Sequence, residues 1–255
     1  MKTKFLYIII FIGLKNYAQN NGLFKELNKA QLLRLEHRSD WEKRDSVDNH
    51  FISVIKKTLT KPETCNQLPS DSLSYILTNR LQKAVIGRTL VYAFMNNVVV
   101  TSKKNLKTFS IDHLGGGSYH TYSSYLQFKN SNDQCLFIPL EKTQENESSG
   151  FYRIEHINHF YFLFGFGTYG GGKQHFTLRI FKEKNGQLIE SKESYPNHTS
   201  LFLECNRSQQ INLTFDSSTK IFSYNKYEQD LETGFYKRDY KVVKLQFKAG
   251  KLSEI

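Results

Sequence analysis

Residues 161 to 190 read YFLFGFGTYGGGKQHFTLRIFKEKNGQLIE. The stretch opens on an aromatic-rich strand and crosses a connection at Gly170-Gly171-Gly172. A second strand ends near Phe181-Lys182, a tight turn follows at Asn185-Gly186, and a short strand closes it. Asn-Gly between alternating apolar residues is the strongest short hairpin signal, because both turn positions need positive φ. One more strand, Phe151 to Ile157, precedes the stretch, so the segment predicts a four-stranded antiparallel unit.

The same layout recurs on either side. Residues 105 to 138 read NLKTFSIDHLGGGSYHTYSSYLQFKNSNDQCLFI, and residues 220 to 255 read KIFSYNKYEQDLETGFYKRDYKVVKLQFKAGKLSEI. Phe128-Lys129 and Phe247-Lys248 match Phe181-Lys182, and Ala249-Gly250 marks the last turn. Additional strands precede these units at Asn97 to Ser102 and Ile211 to Phe215. The chain therefore reads as mainly β, with three repeated antiparallel four-stranded units at about 97–142, 150–192 and 211–255. Three units are too few to close an ordinary propeller. They are expected to stack as propeller-like blades, with the apolar 82–96 stretch entering a fourth, or to pack as a sandwich.

Before this body the pattern is helical. Leu23, Leu27, Ala30 and Arg34, then Phe51, Val54, Ile55 and Leu59, keep a three-to-four spacing up to about Thr60, and Pro62 is expected to end it. Ser70-Asp71 resembles an N-cap for a second short helix carrying Leu73, Ile76, Leu77 and Leu81. The amphipathic pair is expected to pack on the rest of the protein.

The N-terminus has the layout of a secretory leader. Lys2 and Lys4 precede ten nearly uniform apolar residues, Phe5 to Leu14, and Ala18 offers a small residue for cleavage. Ten residues reach only about 15 Å as a helix, half of a bilayer core. The expected organisation is a signal peptide at 1–18, a helical head at 19–82 and a β domain at 83–255, exported to the periplasm or beyond. No transmembrane segment is expected after cleavage.

Composition narrows the class. The 255 residues are 39% hydrophobic, near the globular norm, which argues against wholesale disorder. The 35 Lys and Arg exceed the 24 Asp and Glu by eleven, and loss of the leader with Lys2, Lys4 and Lys15 leaves an excess of eight. A basic exported protein meets anionic surfaces, and the expected partners are an anionic glycan, the envelope surface or a partner protein. No Lys/Arg block interleaves with aromatics as a nucleic-acid groove requires, so specific nucleic-acid binding is not expected. Cys65, Cys135 and Cys205 form no CxxC, and an oxidising compartment favours one disulfide and one free thiol. Cys135 and Cys205, both in strand-like segments, are the expected pair if one forms; the alternative is three buried thiols.

The candidate site is the motif GGG-x-x-H, present twice. It occurs as Gly115, Gly116, Gly117, Ser118, Tyr119, His120 and as Gly170, Gly171, Gly172, Lys173, Gln174, His175. Three glycines permit backbone conformations closed to other residues and let a ligand approach main-chain N–H groups. The two histidines could meet at one sheet edge as a ligand or metal site. The architectural alternative is a bulged hairpin, although the third unit has Leu231-Glu232-Thr233-Gly234 instead. His156 and His159, three apart on a strand, face opposite sides and make a poor metal pair. No G-x-S-x-G elbow, H-E-x-x-H helix, P-loop or dinucleotide fingerprint occurs.

A leader ending in Ala-Gln, a helical head, the strand Phe109-Ser110-Ile111-Asp112 and then a Gly-Gly loop with His resemble small exported proteins of the Bacteroidetes type. Ile111 stands where their aromatic-Ser-Trp-Asp pattern has Trp. The resemblance implies an exported β protein and no activity. The expected function is a non-catalytic binding or envelope-associated module. Its contacts are Gly115, Gly116, Gly117, Tyr119, His120, Gly170, Gly171, Gly172, Lys173 and His175. The alternative is a secreted hydrolase, metal-dependent or not, using His120 and His175. The sequence identifies no cofactor.

Overall fold

The computed structural model describes residues 25–37, 40–66, 81–86, 89–94, 98–113, 120–141, 148–169, 171–196 and 200–255. The leader, the helix expected after Ser70, the first glycine triplet with Tyr119, and Gly170 lie outside the described residues.

The helical head comprises α1 (Lys25–Glu36), α2 (Trp41–Leu59) and the single turn α3 (Pro62–Cys65). Asp40 caps α2 by accepting a bond from the Lys43 N–H at 3.3 Å. Pro62 does not act only as a terminator. α2 ends at Leu59, and Pro62 opens α3, where its fixed φ suits the first helical turn and its missing N–H is not needed.

The rest is β. A two-stranded hairpin, β1 (Leu81–Ile86) with β2 (Thr89–Phe94), is all that the 82–96 stretch contributes among the described residues. Sheet one follows as the antiparallel meander β3 (Val98–Lys103), β4 (Leu106–Asp112), β5 (Tyr122–Lys129) and β6 (Cys135–Leu140). Sheet two holds β7 (Gly150–Ile157), β8 (Phe160–Tyr169), β9 (Lys173–Lys184), β10 (Gln187–Glu190) and β11 (Leu201–Asn206). β9 is long enough for two neighbours on one edge: β11 pairs Lys173 to Leu178, and β10 pairs Phe181 to Lys184. Sheet three is β12 (Thr214–Asp216), β13 (Ile221–Gln229), β14 (Tyr236–Lys248) and β15 (Lys251–Glu254). The chain is thus mainly β, with a short N-terminal helical segment and three antiparallel sheets that do not close into a barrel.

The sheets are stacked, and three apolar slabs fill the spaces between layers. Leu27, Phe51, Ile55 and Leu59 of the helices pack on Phe109, Ile111 and Tyr125 of sheet one. Leu106, Leu126 and Phe128 on the other face of sheet one meet Phe151, Tyr161, Leu163 and Phe181 of sheet two. Phe160, Phe162 and Phe164 on the far face of sheet two meet Phe222, Leu245 and Phe247 of sheet three. β8 therefore alternates between two cores, and both sets of side chains are apolar. Burial on two faces removes the polar half of the period-two pattern. Each fully buried Phe contributes about 2–3 kcal/mol of transfer free energy.

Polar side chains join the layers. Lys107 donates from its Nζ to the carbonyls of Thr64 at 2.9 Å and Cys65 at 3.0 Å, and burial pushes its pKa down to about 8. Gln127 donates to Leu59 O at 2.7 Å. Between sheets one and two, the Ser124 hydroxyl donates to the Ser149 carbonyl at 2.9 Å, and Ser110 Oγ accepts from the Phe151 N–H at 2.9 Å.

The cysteine pairing differs from the sequence expectation. Cys65 bonds Cys135, with Cα atoms 5.8 Å apart, and Cys205 is a free, buried thiol. Cys135 sits on the face of sheet one that looks at the helices, near Leu59 O, whereas Cys205 lies in the slab between sheets two and three. Strand-like sequence around each cysteine says nothing about which slab it enters. No helix among the described residues is long and apolar enough to cross a membrane.

The bridge closes a loop of 70 residues, which in the chain-entropy account stabilises the fold by about 4 kcal/mol. Replacing Cys65 and Cys135 with Ser lowers the unfolding free energy in denaturant titration by that order, and added reductant has no further effect on the variant.

Candidate functional site

The flanks of the two glycine loops meet. The His120 N–H, at the end of the first loop, donates to the carbonyl of Thr168 at 3.3 Å, just before the second. Thr168 lies opposite Gln174 in the β8–β9 pair, one register step from Gly167 opposite His175. The hairpins β4–β5 and β8–β9 thus end side by side, at one end of the stack.

The two histidines nevertheless go different ways. The His120 ring is 41% exposed, and its Nδ1 lies 2.6 Å from Asp112 Oδ2. The His175 ring is fully buried. It stacks on Phe202 at 4.9 Å, and its Nε2 lies 3.0 Å from Ser149 Oγ. Burial lowers its pKa to about 4 against a raising contribution from a bond to the Ser148 backbone, so the ring is neutral at pH 7. Space for it exists because position 167 is glycine: a Cβ there would come 2.4 Å from His175 Cε1 and 2.2 Å from Ser148 O. Equivalent positions in the sequence thus place one imidazole at the surface and the other in the seam between sheets one and two.

Gly171 and Gly172 have φ of +74° and +73°, and nothing lies within 4 Å of where a Cβ would stand. They are required by torsion, and the space beside them is open. The Gly172 carbonyl accepts from the Arg207 N–H at 2.8 Å, and Arg207 Nε donates to Lys173 O at 3.4 Å. Lys173 holds its ammonium 6.0 Å from the centroid of the Tyr236 ring. Tyr236 in turn donates its hydroxyl to Glu204 Oε2 at 3.1 Å. Phe235, next to it, is 48% exposed. The sequence marks Lys173 through its motif, but Arg207 in the turn after β11 and Tyr236 on β14 carry no motif of their own.

A second polar cluster lies at the seam between the helices and sheet one. Ser123 Oγ is 2.7 Å from His113 Nε2, and His113 Nδ1 is 3.4 Å from Asp48 Oδ2. Arg34 Nε donates to Asp48 Oδ1 at 2.5 Å, and Arg34 also donates to the Asp112 carbonyl. Burial opposes ionisation of Asp48, but the bonds from His113 and Arg34 outweigh it and hold the carboxyl below its usual range. Hydroxyl, imidazole and carboxylate stand in the order of a general-base relay. These groups come from α2, β5 and the end of β4, and only the fold brings them together. Among the described residues, no three His, Cys, Asp or Glu side chains converge as a metal-ligand set. His156 packs on Tyr161 and His159 on Phe160.

His175 sets a pH dependence. Above the ordinary value of about 6.5, both folded and unfolded chains hold it neutral, and its contribution does not change with pH. As pH falls from 6.5 toward about 4, the unfolded chain takes up a proton that the folded chain refuses, so stability falls. Substituting His175→Gln removes this component: the slope of unfolding free energy against pH, measured between pH 6.5 and 4, becomes shallower than in the wild type.

No protein-family model, curated protein sequence or solved structure matches the chain.

Proposed function

We propose that the chain is an exported, non-catalytic binding module whose contact edge is the glycine-loop end of the stack, and that it recognises an anionic glycan. The observation that carries this reading is the Lys173 ammonium held over the Tyr236 ring, beside the open space at Gly171 and Gly172. The exposed Phe235 ring next to Tyr236 offers an apolar face for a sugar ring, and cations for its carboxylates stand beside it. Arg207 adds a second positive charge, and His120 lies beside the same loops. The excess of eight positive charges that remains without the leader supports an anionic partner. Export is supported by the leader-like N-terminus and by the Cys65–Cys135 disulfide, since such bonds persist in oxidising compartments.

Alginate serves as the probe in isothermal titration. The wild type binds it with an affinity that weakens as salt rises. The double variant Lys173→Ala, Arg207→Ala binds about tenfold more weakly at an unchanged melting temperature, as expected for one half-buried and one exposed cation of roughly 0.5–1 kcal/mol each. Wild-type protein that ignores alginate, or a double variant that binds it equally well, refutes the assignment.

A second reading rests on Ser123, His113 and Asp48. In this arrangement His113 Nε2 takes the Ser123 proton as Oγ attacks an ester carbonyl, and later returns it to the leaving alkoxide. This is the hydrolase alternative moved from His120 and His175 to His113. A fluorophosphonate probe labels Ser123 under this reading, and Ser123→Ala or His113→Ala abolishes the label. Wild-type protein left unlabelled eliminates the reading and leaves the cluster as a polar joint between layers.

A further inference from the structure

The opposite end of the stack, remote from the glycine loops, holds an open cleft of about 500 Å³. Three tight turns converge on it: β7–β8 at Asn158-His159, β12–β13 at Ser218 to Lys220, and β14–β15 at Lys248 to Gly250. Its floor is apolar. Phe160 and Phe247 lie edge to face with centroids 5.0 Å apart, and Ile157 completes the surface. Lys220 and His159 line the cleft, Lys248 borders it from the end of β14, and no carboxylate does. The nearest acid in the β12–β13 turn, Asp216, turns its oxygens onto Ser218 and Thr219 of its own turn. The surrounding end of the stack is electropositive as well. Lys104, Lys103 and His159 all act against protonation of His156, after burial as the larger cause.

The rim is backbone-defined. Asn158, Lys220 and Ala249 have φ of 55°, 58° and 50°, and Gly250 has 81°. Asn adopts the left-handed region readily, whereas Lys and Ala do so at a cost. Lys220 is itself one of these residues, so the turn fixes where its side chain leaves the backbone. A volume of this size falls in the range of small-molecule sites, and an apolar floor with a few convergent polar groups is their usual make-up.

We infer that this cleft binds a small organic anion: an aromatic or aliphatic body on the Phe160–Phe247 floor, with its carboxylate at Lys220. The inference does not rest on the glycan reading. β8 separates the two sites by ten residues, about 30 Å at strand rise, and each has its own probe.

Amide NMR of the full mature chain, titrated with naphthoate, tests it. The expected result is a set of shifts confined to Asn158, His159, Lys220, Ala249 and Gly250, with the loop-end amides of Gly171, Gly172 and Lys173 unmoved. Naphthalene methanol, which lacks the charge, and inorganic phosphate, which lacks the apolar body, each bind about tenfold more weakly or worse. The variant Lys220→Ala weakens naphthoate binding about fivefold with thermal unfolding unchanged, because the side chain is exposed. Shifts scattered over the surface, equal binding of the neutral analogue, or an unaffected Lys220→Ala variant each overturn the inference.

Discussion

Sheet two has no face in water over most of its width, and the rest of the molecule follows from that. Phe162, Leu163 and Phe164 are each fully buried, although successive residues on a strand point in opposite directions. Such a sheet cannot exist alone. It needs a sheet on each side, and sheet one in turn needs the helices, because Phe109 and Ile111 on its far face are also fully buried. The layered stack is the arrangement in which every apolar face finds a partner. The outer face of sheet three stays in water, where Val242, Lys244 and Lys248 stand exposed.

The seams are where polar chemistry enters this apolar stack. Arg34 and Asp48 are both nearly excluded from solvent and bonded to each other, and Arg34 also reaches the end of β4. Burying two charges costs about as much as their attraction returns, so the pair specifies which helix face meets sheet one more than it adds stability. Removing one partner would strand the other charge, which is far costlier. Ser110, Ser124, Ser149 and His175 do the same for sheets one and two with neutral groups. A relay of hydroxyl, imidazole and carboxylate can arise at such a seam from the need to satisfy buried polar atoms, which is why the serine reading is tested chemically and not by geometry alone.

The two ends of the stack differ in kind. One end carries the β8–β9 connection, with glycine at positive φ and open space beside it. The other carries three tight turns with left-handed residues, Lys220 among them, around a cleft floored by two phenylalanine rings. Antiparallel meanders separate these ends by a full strand length, so two contact regions can change independently without disturbing the core.

The sequence by itself determined the strand-turn-strand repeat, because alternation, aromatic content and turn residues such as Asn185-Gly186 are local signals. It placed three antiparallel units after a helical segment, although the middle unit gains a fifth strand, β11, from beyond the expected repeat, and it marked both glycine loops and the excess of positive charge. Only the tertiary structure decided which face each unit buries, that Cys135 meets Cys65 and not Cys205, and that His120 faces solvent while His175 is enclosed. It also decided that Pro62 opens a helical turn and that Arg34, Asp48, His113 and Ser123 form one cluster. The physical reason is common to all of these. Pairing within a hairpin is set by neighbours in the chain, whereas stacking between layers is set by shape and burial among residues far apart in it. In a unit buried on both faces, the polar alternation that would have marked inside and outside is missing from the sequence.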